Sequence, residues 1–160
     1  MDSKKDLYHN NNAFTIIEIL IVIMILAVLT AITAPQFNSY QQNLQLKTKV
    51  EQLLSNIRYV QQQSIITGLK HGIVFDINSD CYYLLKDKSN PQILEKVDLA
   101  PLEITEVNFP IYHSIPCSGA SIFYKSLGYL DHRNGRVKLK LNKYSQEIVF
   151  SSNAGEINIR

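Results

Sequence analysis

Residues 14–34 read FTIIEILIVIMILAVLTAITA, an apolar stretch with a single charged residue, Glu18. As an α-helix this stretch would be about 31 Å long, which matches the hydrocarbon thickness of a bilayer. Residues 1–13, MDSKKDLYHNNNA, are polar and include Lys4 and Lys5. Because positive residues favour the cytoplasmic side, the pattern predicts one membrane-spanning helix followed by an extracytoplasmic domain.

Three interpretations of the apolar stretch differ in what happens at its start. A cleaved secretory signal has a shorter apolar region, of about 7–15 residues. An ordinary membrane anchor fits the length but gives Glu18 no role, although a charged side chain in the bilayer costs about 2.5–3.5 kcal/mol. Cleavage after Ala13 would create a partner for Glu18, the α-amino group of Phe14, one helical turn away. Offered by a neighbouring chain, the same amine would fix the axial register between subunits. We therefore favour cleavage before Phe14 with the apolar helix retained.

Residues 13–20, AFTIIEIL, resemble the cleavage motif of type IV prepilins, a small residue followed by Phe-Thr, two aliphatic residues and Glu. The resemblance implies cleavage by prepilin peptidase, N-methylation of Phe14, and assembly through Phe14 and Glu18. Pro35 lies where type IV pilins commonly place a proline that loosens the helix. Ala13 departs from the usual glycine, which implies slower or tolerated cleavage.

Downstream of Pro35 the apolar residues recur at three- and four-residue spacing, which is typical of an amphipathic helix. They are Phe37, Tyr40, Leu44, Leu46, Val50, Leu53, Leu54, Ile57 and Val60. The helix is expected to end near Thr67, with Gly68 as a left-handed stop.

From residue 72 the pattern changes to short strands separated by turn residues. The predicted strands cover residues 72–77, 82–86, 93–96, 104–108, 121–124, 136–141, 146–150 and 156–159. The expected fold class is α+β. A long N-terminal helix, half transmembrane and half amphipathic, packs on an antiparallel β-sheet.

Parts of this region resemble the GspH/FimT-like minor pseudopilins. Residues 57–68 and 71–75 are similar to their passage from helix to first strand, and residues 135–139 and 148–159 to their closing strands. The domain plan is then a leader over residues 1–13, a transmembrane and assembly helix over 14–34, and an amphipathic helix with an extracytoplasmic sheet domain over 35–160.

The net charge of +2 is unevenly distributed: residues 71–120 carry a net charge of −4, and residues 121–160 carry +4. Such a sign change is compatible with a mixed solvated surface, a charged partner or a second copy of the chain. Cys81 and Cys117 would be extracytoplasmic. They are expected to form a disulfide worth about 3–4 kcal/mol, the alternative being two unpaired buried thiols.

No arrangement of residues indicates catalysis, and no cofactor or metal is expected. A zinc site from His71, Cys81, His113 and Cys117 is a weak alternative because their spacing is atypical. DNA is the other candidate partner. The basic residues Arg133, Arg136, Lys138, Lys140 and Lys143 cluster in one predicted hairpin, where they could contact phosphates.

Some FimT-like minor pilins are implicated in DNA uptake through a basic Gly-Arg-x-Arg segment near the last strand. Here Glu156 and Asn158 stand at the matching positions, which removes that site. The leading interpretation is therefore a structural minor pilin or pseudopilin of a type IV pilus or type II secretion system. A DNA-binding minor pilin of a competence pilus is the alternative. The expected partners are other pilins, prepilin peptidase, an inner-membrane assembly platform and, in the alternative, DNA.

In cells with prepilin peptidase, the mature chain is expected to begin at Phe14, because polarity changes abruptly between Ala13 and Phe14. Intact-mass spectrometry of the assembled protein should show loss of residues 1–13 and one added methyl group. Recovery of Met1 in the assembled form would contradict this interpretation.

Overall fold

The computed structural model describes residues 15–113, 118–132, 134–151 and 156–160. Two compact units divide the chain, Met1–Tyr40 and Gln41–Arg160. One helix, α1 (Ile16–Thr67), contributes to both units. The strands in the described part of the second unit are β1 (His71–Asp76), β2 (Cys81–Lys86), β3 (Gln92–Asp98), β4 (Glu103–Val107), β5 (Ile111–His113), β6 (Ser118–Tyr124), β7 (Gly135–Leu141), β8 (Tyr144–Ser151) and β9 (Glu156–Ile159).

In the first unit, the described residues form the apolar beginning of α1. This is the one helix among the described residues that is long and apolar enough to cross a membrane, and its apolar window buries none of its residues in protein. The helix α1 continues through Pro35, so the loosening predicted there does not end it. It stops where the sequence predicted: Gly68 follows Thr67 with φ of 70° and donates its N–H to the Ser64 carbonyl at 3.1 Å.

In the second unit, the apolar stripe of α1 forms one wall of the core. Leu46, Val50, Leu53, Ile57 and Val60 are all at most 1% exposed. The predicted stripe began too early, since the side chains of Phe37, Tyr40 and Leu44 are at least half exposed. Helical periodicity identifies an apolar face, but it does not show where that face first meets the sheets.

The strands form two antiparallel sheets where the sequence had predicted one. The five-stranded sheet A has the order β3-β2-β1-β6-β5, and the four-stranded sheet B has the order β4-β7-β8-β9. Their inner faces and the stripe of α1 share a single apolar cluster, which includes Ile73 and Ile122 from sheet A and Val137 and Ile148 from sheet B. Alternation along each strand predicts which residues are buried, but not which strand is the hydrogen-bonded neighbour.

All eight predicted strands are present, the last with the predicted bounds and the others with ends that shift by at most three residues. The unpredicted strand is β5, a three-residue edge strand in which only Tyr112 is partly buried. Such a short segment carries no detectable alternation. Asn142 and Lys143 form the turn between β7 and β8, since Leu141 pairs with Tyr144 and Asn142 takes φ of 54°.

Two buried tyrosines place hydroxyl groups in the core. The Tyr82 hydroxyl accepts a hydrogen bond from Asn56 Nδ2 at 2.9 Å. Burial raises the pKa of Tyr82 to about 12, against the lowering effect of the Asn56 hydrogen bond. Burial also raises the pKa of Tyr124, whose hydroxyl has no hydrogen-bond partner among the described residues.

The predicted disulfide involves one residue outside the described ranges, Cys117. Its partner Cys81 is buried at the start of β2, opposite Asp76 of β1. Cys81 makes no disulfide with a described residue, so the pairing with Cys117 stays a prediction.

At Gly72 in β1, the neighbouring atoms leave no room for a side chain. A Cβ there would lie 2.3 Å from the Phe123 ring and 2.5 Å from the Ile122 carbonyl oxygen. We expect Gly72→Ala to lower the free energy of unfolding by about 1–3 kcal/mol, because the strand must shift to relieve the overlap. Urea unfolding of the full chain in detergent, followed by tyrosine fluorescence, measures this loss. Ser145→Ala, at an exposed position of β8, is the control expected to change little, and an equal effect of both changes would contradict the packing argument.

Candidate functional site

Glu18 caps the beginning of α1. Thr15 immediately precedes the helix, and its backbone N–H donates to Glu18 Oε2 at 2.9 Å. The Thr15 hydroxyl donates to the same oxygen at 3.0 Å and accepts the Glu18 backbone N–H at 3.3 Å. This reciprocal arrangement is a capping box, which satisfies backbone donors that the first helical turn leaves free.

The two hydrogen bonds that the Glu18 carboxylate accepts from Thr15 both end on Oε2. Oε1 of Glu18 has no hydrogen bond to any described residue. A carboxylate can accept several hydrogen bonds, so the cap leaves capacity for an external donor. Thr15 was not among the site residues predicted from the sequence. Its signal is Thr-x-x-Glu directly before an apolar helix, the pattern of a capping box.

The structure does not describe the side chains of the other residues predicted for processing and assembly. Ala13 and Phe14 lie outside the described ranges, and the side chain of Pro35 is not described although its backbone is helical. The pairing of Glu18 with the Phe14 amine therefore stays a prediction.

The predicted basic hairpin forms as β7 and β8, and three of its cations, Arg136, Lys138 and Lys140, lie on one face. Arg136 and Lys140 are exposed and Lys138 is half-buried, alternating with buried residues. Arg136 is neutralised by Glu106, with Nη2 and Nε at 2.7 Å and 2.8 Å from Oε1.

The other two cations of this face lie at register positions opposite carboxylates of the neighbouring strands, and Glu147 also lies 3.6 Å from Arg136 Nε. Lys140 lies opposite Glu103 of β4, and Lys138 lies between Glu106 of β4 and Glu147 of β8. Lys143 lies in the turn with its Nζ 5.2 Å from the Tyr144 ring centroid, and Arg133 is outside the described ranges. Three carboxylates facing three cations weaken the attraction for phosphates that the sequence suggested.

The weak zinc alternative is not supported by the position of its residues. His71 begins β1, whereas Cys81 lies opposite the last residue of that strand. His71 Nδ1 is 3.1 Å from the Leu69 carbonyl oxygen, a local contact at the helix-to-strand passage. The described residues contain no group of three metal-ligating side chains.

Asp131 is the most strongly paired carboxylate among the described residues. Its side chain is 10% exposed and accepts from Lys88 Nζ at 2.8 Å and Lys70 Nζ at 3.0 Å, with Lys125 Nζ at 3.9 Å. Burial raises the pKa of Asp131, but the hydrogen bonds and charges of Lys88 and Lys70 outweigh it and lower the pKa to about 2. The cluster ties the beginning of β1 to the loops after β2 and β6.

Comparisons with known proteins give one match to the N-terminal segment and two matches to the fold. Residues 8–34 match the prokaryotic N-terminal methylation motif. The structure of the type IV minor pilin FimU of Pseudomonas aeruginosa aligns with a TM-score of 0.56 and 12% identity, covering 76% of this chain and 92% of FimU. The minor pseudopilin EpsH of the type 2 secretion system of Vibrio cholerae aligns with a TM-score of 0.55 and 13% identity, covering 72% and 96%. No curated protein matches the sequence significantly.

The chain therefore carries the prokaryotic N-terminal methylation motif at the start of a long apolar helix. Its fold is that of the minor pilins and minor pseudopilins, a long N-terminal helix packed on antiparallel sheets.

The lysine cluster around Asp131 is expected to make stability depend on acid pH. A carboxyl with a lowered pKa stabilises the fold above its unfolded pKa of about 3.9, and this contribution fades as pH falls towards 2. We expect Asp131→Asn to cost about 1–2 kcal/mol at pH 7, allowing for the partial exposure of the lysines.

Urea unfolding at several pH values measures this dependence, and the deficit of Asp131→Asn should shrink between about pH 4 and pH 2. Glu51→Gln, at an exposed position of α1, is the matched control and should leave the profile unchanged. A deficit that stays constant down to pH 2 would show that the lysines do not act through the charge of Asp131.

Proposed function

We propose that this chain is a structural minor subunit of a type IV pilus or of a type II secretion pseudopilus, without catalytic activity. In this proposal, prepilin peptidase removes residues 1–13 and methylates Phe14. The apolar helix holds the subunit in the inner membrane, with the sheet domain outside the cytoplasm. An assembly platform in that membrane then transfers the subunit into the fibre among other pilins.

The observation that carries the proposal is Glu18, one carboxylate in an apolar helix that no protein core covers. A charged group in such a position needs a partner, and it marks a functional site by default. The cap by Thr15 satisfies part of that need within the chain, through Oε2.

The two partners of Glu18 act at different stages of this proposal. Before assembly, the cap lowers the cost of holding the carboxylate in lipid, because hydrogen bonds compensate for lost hydration. During assembly, the Phe14 amine of an adjoining subunit binds the free Oε1 and fixes the axial register. A smooth helix of Ile, Leu and Val supplies no comparable directional contact.

DNA binding remains the alternative from the sequence, and the described residues add no support for it. The cations of the β7–β8 hairpin face carboxylates at register positions on the same sheet. We therefore propose fibre assembly, and not DNA binding, as the function of this chain.

Glu18→Val should leave insertion and cleavage largely intact and lower incorporation into the fibre by about tenfold or more. The apolar length that drives insertion is preserved, while the amine of the next subunit loses its countercharge. Glu18→Gln keeps the shape without the charge and should fail less completely. Co-purification with partner pilins after crosslinking in membranes, with the mature-size band on a gel, measures both steps.

Thr15→Val and Thr15→Ser form a matched pair for the cap. Valine keeps the size but removes the hydroxyl, so incorporation should fall by about two- to fivefold, in line with a cap worth about 1 kcal/mol. Serine keeps the hydroxyl and should behave like the unmodified chain.

Entry of Glu18→Val into the fibre at the unmodified level would rule out the intersubunit role.

A further inference from the structure

A β-turn after β6 presents apolar side chains to solvent beside the end of α1. Gly128 N–H donates to the Lys125 carbonyl at 2.8 Å, which closes the turn, and Leu127 is the third of its four residues. Leu127 is 75% exposed, Ile65 54% and Tyr129 51%. Ile65 belongs to the same surface, because a Cβ at Gly128 would lie 2.8 Å from its side chain. Contiguous exposed apolar surface of this kind commonly marks an interaction site.

The turn is held in place by the rest of the domain. Gln61 Nε2 donates to the Gly128 carbonyl at 2.8 Å, and Lys125 N–H donates to the Tyr129 carbonyl at 2.8 Å. Gly128 takes φ of 79°, a conformation that glycine adopts without strain. Because the apolar side chains already stand on an ordered turn, binding does not have to order a loop, and its entropic cost is lower.

Three lysines from separate segments lie beside this apolar patch. Lys70, Lys88 and Lys125 approach the Asp131 carboxylate with Nζ to oxygen distances of 3.0, 2.8 and 3.9 Å. One carboxylate cannot neutralise three ammonium groups, and all three lysine side chains are partly exposed. We call the apolar patch and these three lysines together the basic turn surface.

The charges of the surrounding segments leave this excess positive. Residues 61–70, 86–89 and 121–132 contain four lysines and two aspartates, a net charge of +2. The second aspartate is Asp87, whose carboxylate accepts the Ser89 N–H at 3.0 Å within its own loop. All four cations are lysines, which bind phosphates as point charges, whereas arginine favours a planar, bidentate partner.

We propose that the basic turn surface binds an anionic lipid bilayer. Leu127 enters the boundary between headgroups and acyl chains, Tyr129 lies at the level of the headgroups, and the lysines contact lipid phosphates. This contact goes beyond the proposed function, since it uses neither Glu18 nor another subunit of a fibre.

Shape and charge together favour a lipid surface as the occupant. Leu127 projects from a convex turn, so a protein partner would need a groove that fits it, whereas the acyl boundary of a bilayer accepts an apolar side chain without a matching shape. Leucine and tyrosine flanked by lysines are typical of surfaces that bind the membrane interface. An acidic protein would also attract the lysines, so the experiment has to distinguish the two partners.

Quenching by lipid tests the proposal on the full chain. The chain contains no tryptophan, so Leu127→Trp introduces a single indole on the turn. The protein is held through its apolar helix in a nanodisc of neutral phosphatidylcholine, and vesicles with brominated acyl chains are added. Vesicles that contain phosphatidylglycerol should quench the indole fluorescence, because bromine quenches at contact, and pure phosphatidylcholine vesicles should quench it little.

Two further tryptophan variants make this measurement specific. Tyr129→Trp places a second reporter on the same turn and serves if Leu127→Trp folds poorly. Ser145→Trp, at an exposed position on sheet B, is the matched control and should not be quenched. The control also detects transfer of the whole chain into the vesicles, which would affect both reporters without any contact by the turn.

Lysine variants test the contribution of charge. In the Leu127→Trp chain, Lys125→Gln should weaken the apparent affinity for phosphatidylglycerol vesicles by about three- to tenfold, and Lys125→Arg should retain it. Lys143→Gln, in the exposed turn between β7 and β8, is the control expected to change nothing.

Three results would overturn the proposal: no quenching by anionic vesicles, equal quenching by neutral ones, or equal quenching of Ser145→Trp. Binding of soluble polyglutamate without any binding of vesicles would assign the surface to an acidic protein instead. None of these results bears on the proposed function, which is measured by incorporation into the fibre.

Discussion

Burial of the apolar stripe of α1 is the contact on which the rest of the sheet domain depends. Five fully buried residues between Leu46 and Val60 meet the inner faces of both sheets in a single cluster. Both sheets share this cluster, and sheet A has in addition a smaller buried cluster of Val74, Leu85 and Phe123. Since a fully buried aliphatic side chain contributes about 1.5–3 kcal/mol, removal of one of these residues would weaken both sheets together.

The sequence predicted the helix, its end at Gly68 and eight of the strands, because these depend on periodicity and local turn chemistry. Gly68 takes the left-handed conformation that its position suggested. The division into two sheets was not predictable, since Val137 and Ile122 alternate in the same way but pair with different strands. Such partners lie far apart in the chain, and no local property records their pairing.

The candidate site shows the same division between local and distant information. Glu18 could be identified because a lone carboxylate in an apolar helix is conspicuous, and its cap by Thr15 lies only three residues away. The pairing of Arg136 with Glu106 spans thirty positions and could not be read from a cluster of basic residues. The sequence therefore overstated the positive charge of the hairpin face, because composition counts charges without their neighbours.

The two buried tyrosines also set an upper pH limit on the domain. Folded Tyr82 keeps its proton to a pH of about 12. The pKa of Tyr124 is raised in the same direction. An unfolded tyrosine ionises near pH 10. Above that pH the unfolded chain releases protons that the folded core retains, so stability falls as the solution becomes more alkaline. A phenolate cannot be accommodated beside the α1 stripe without a counterion, so ionisation of these two tyrosines favours the unfolded chain.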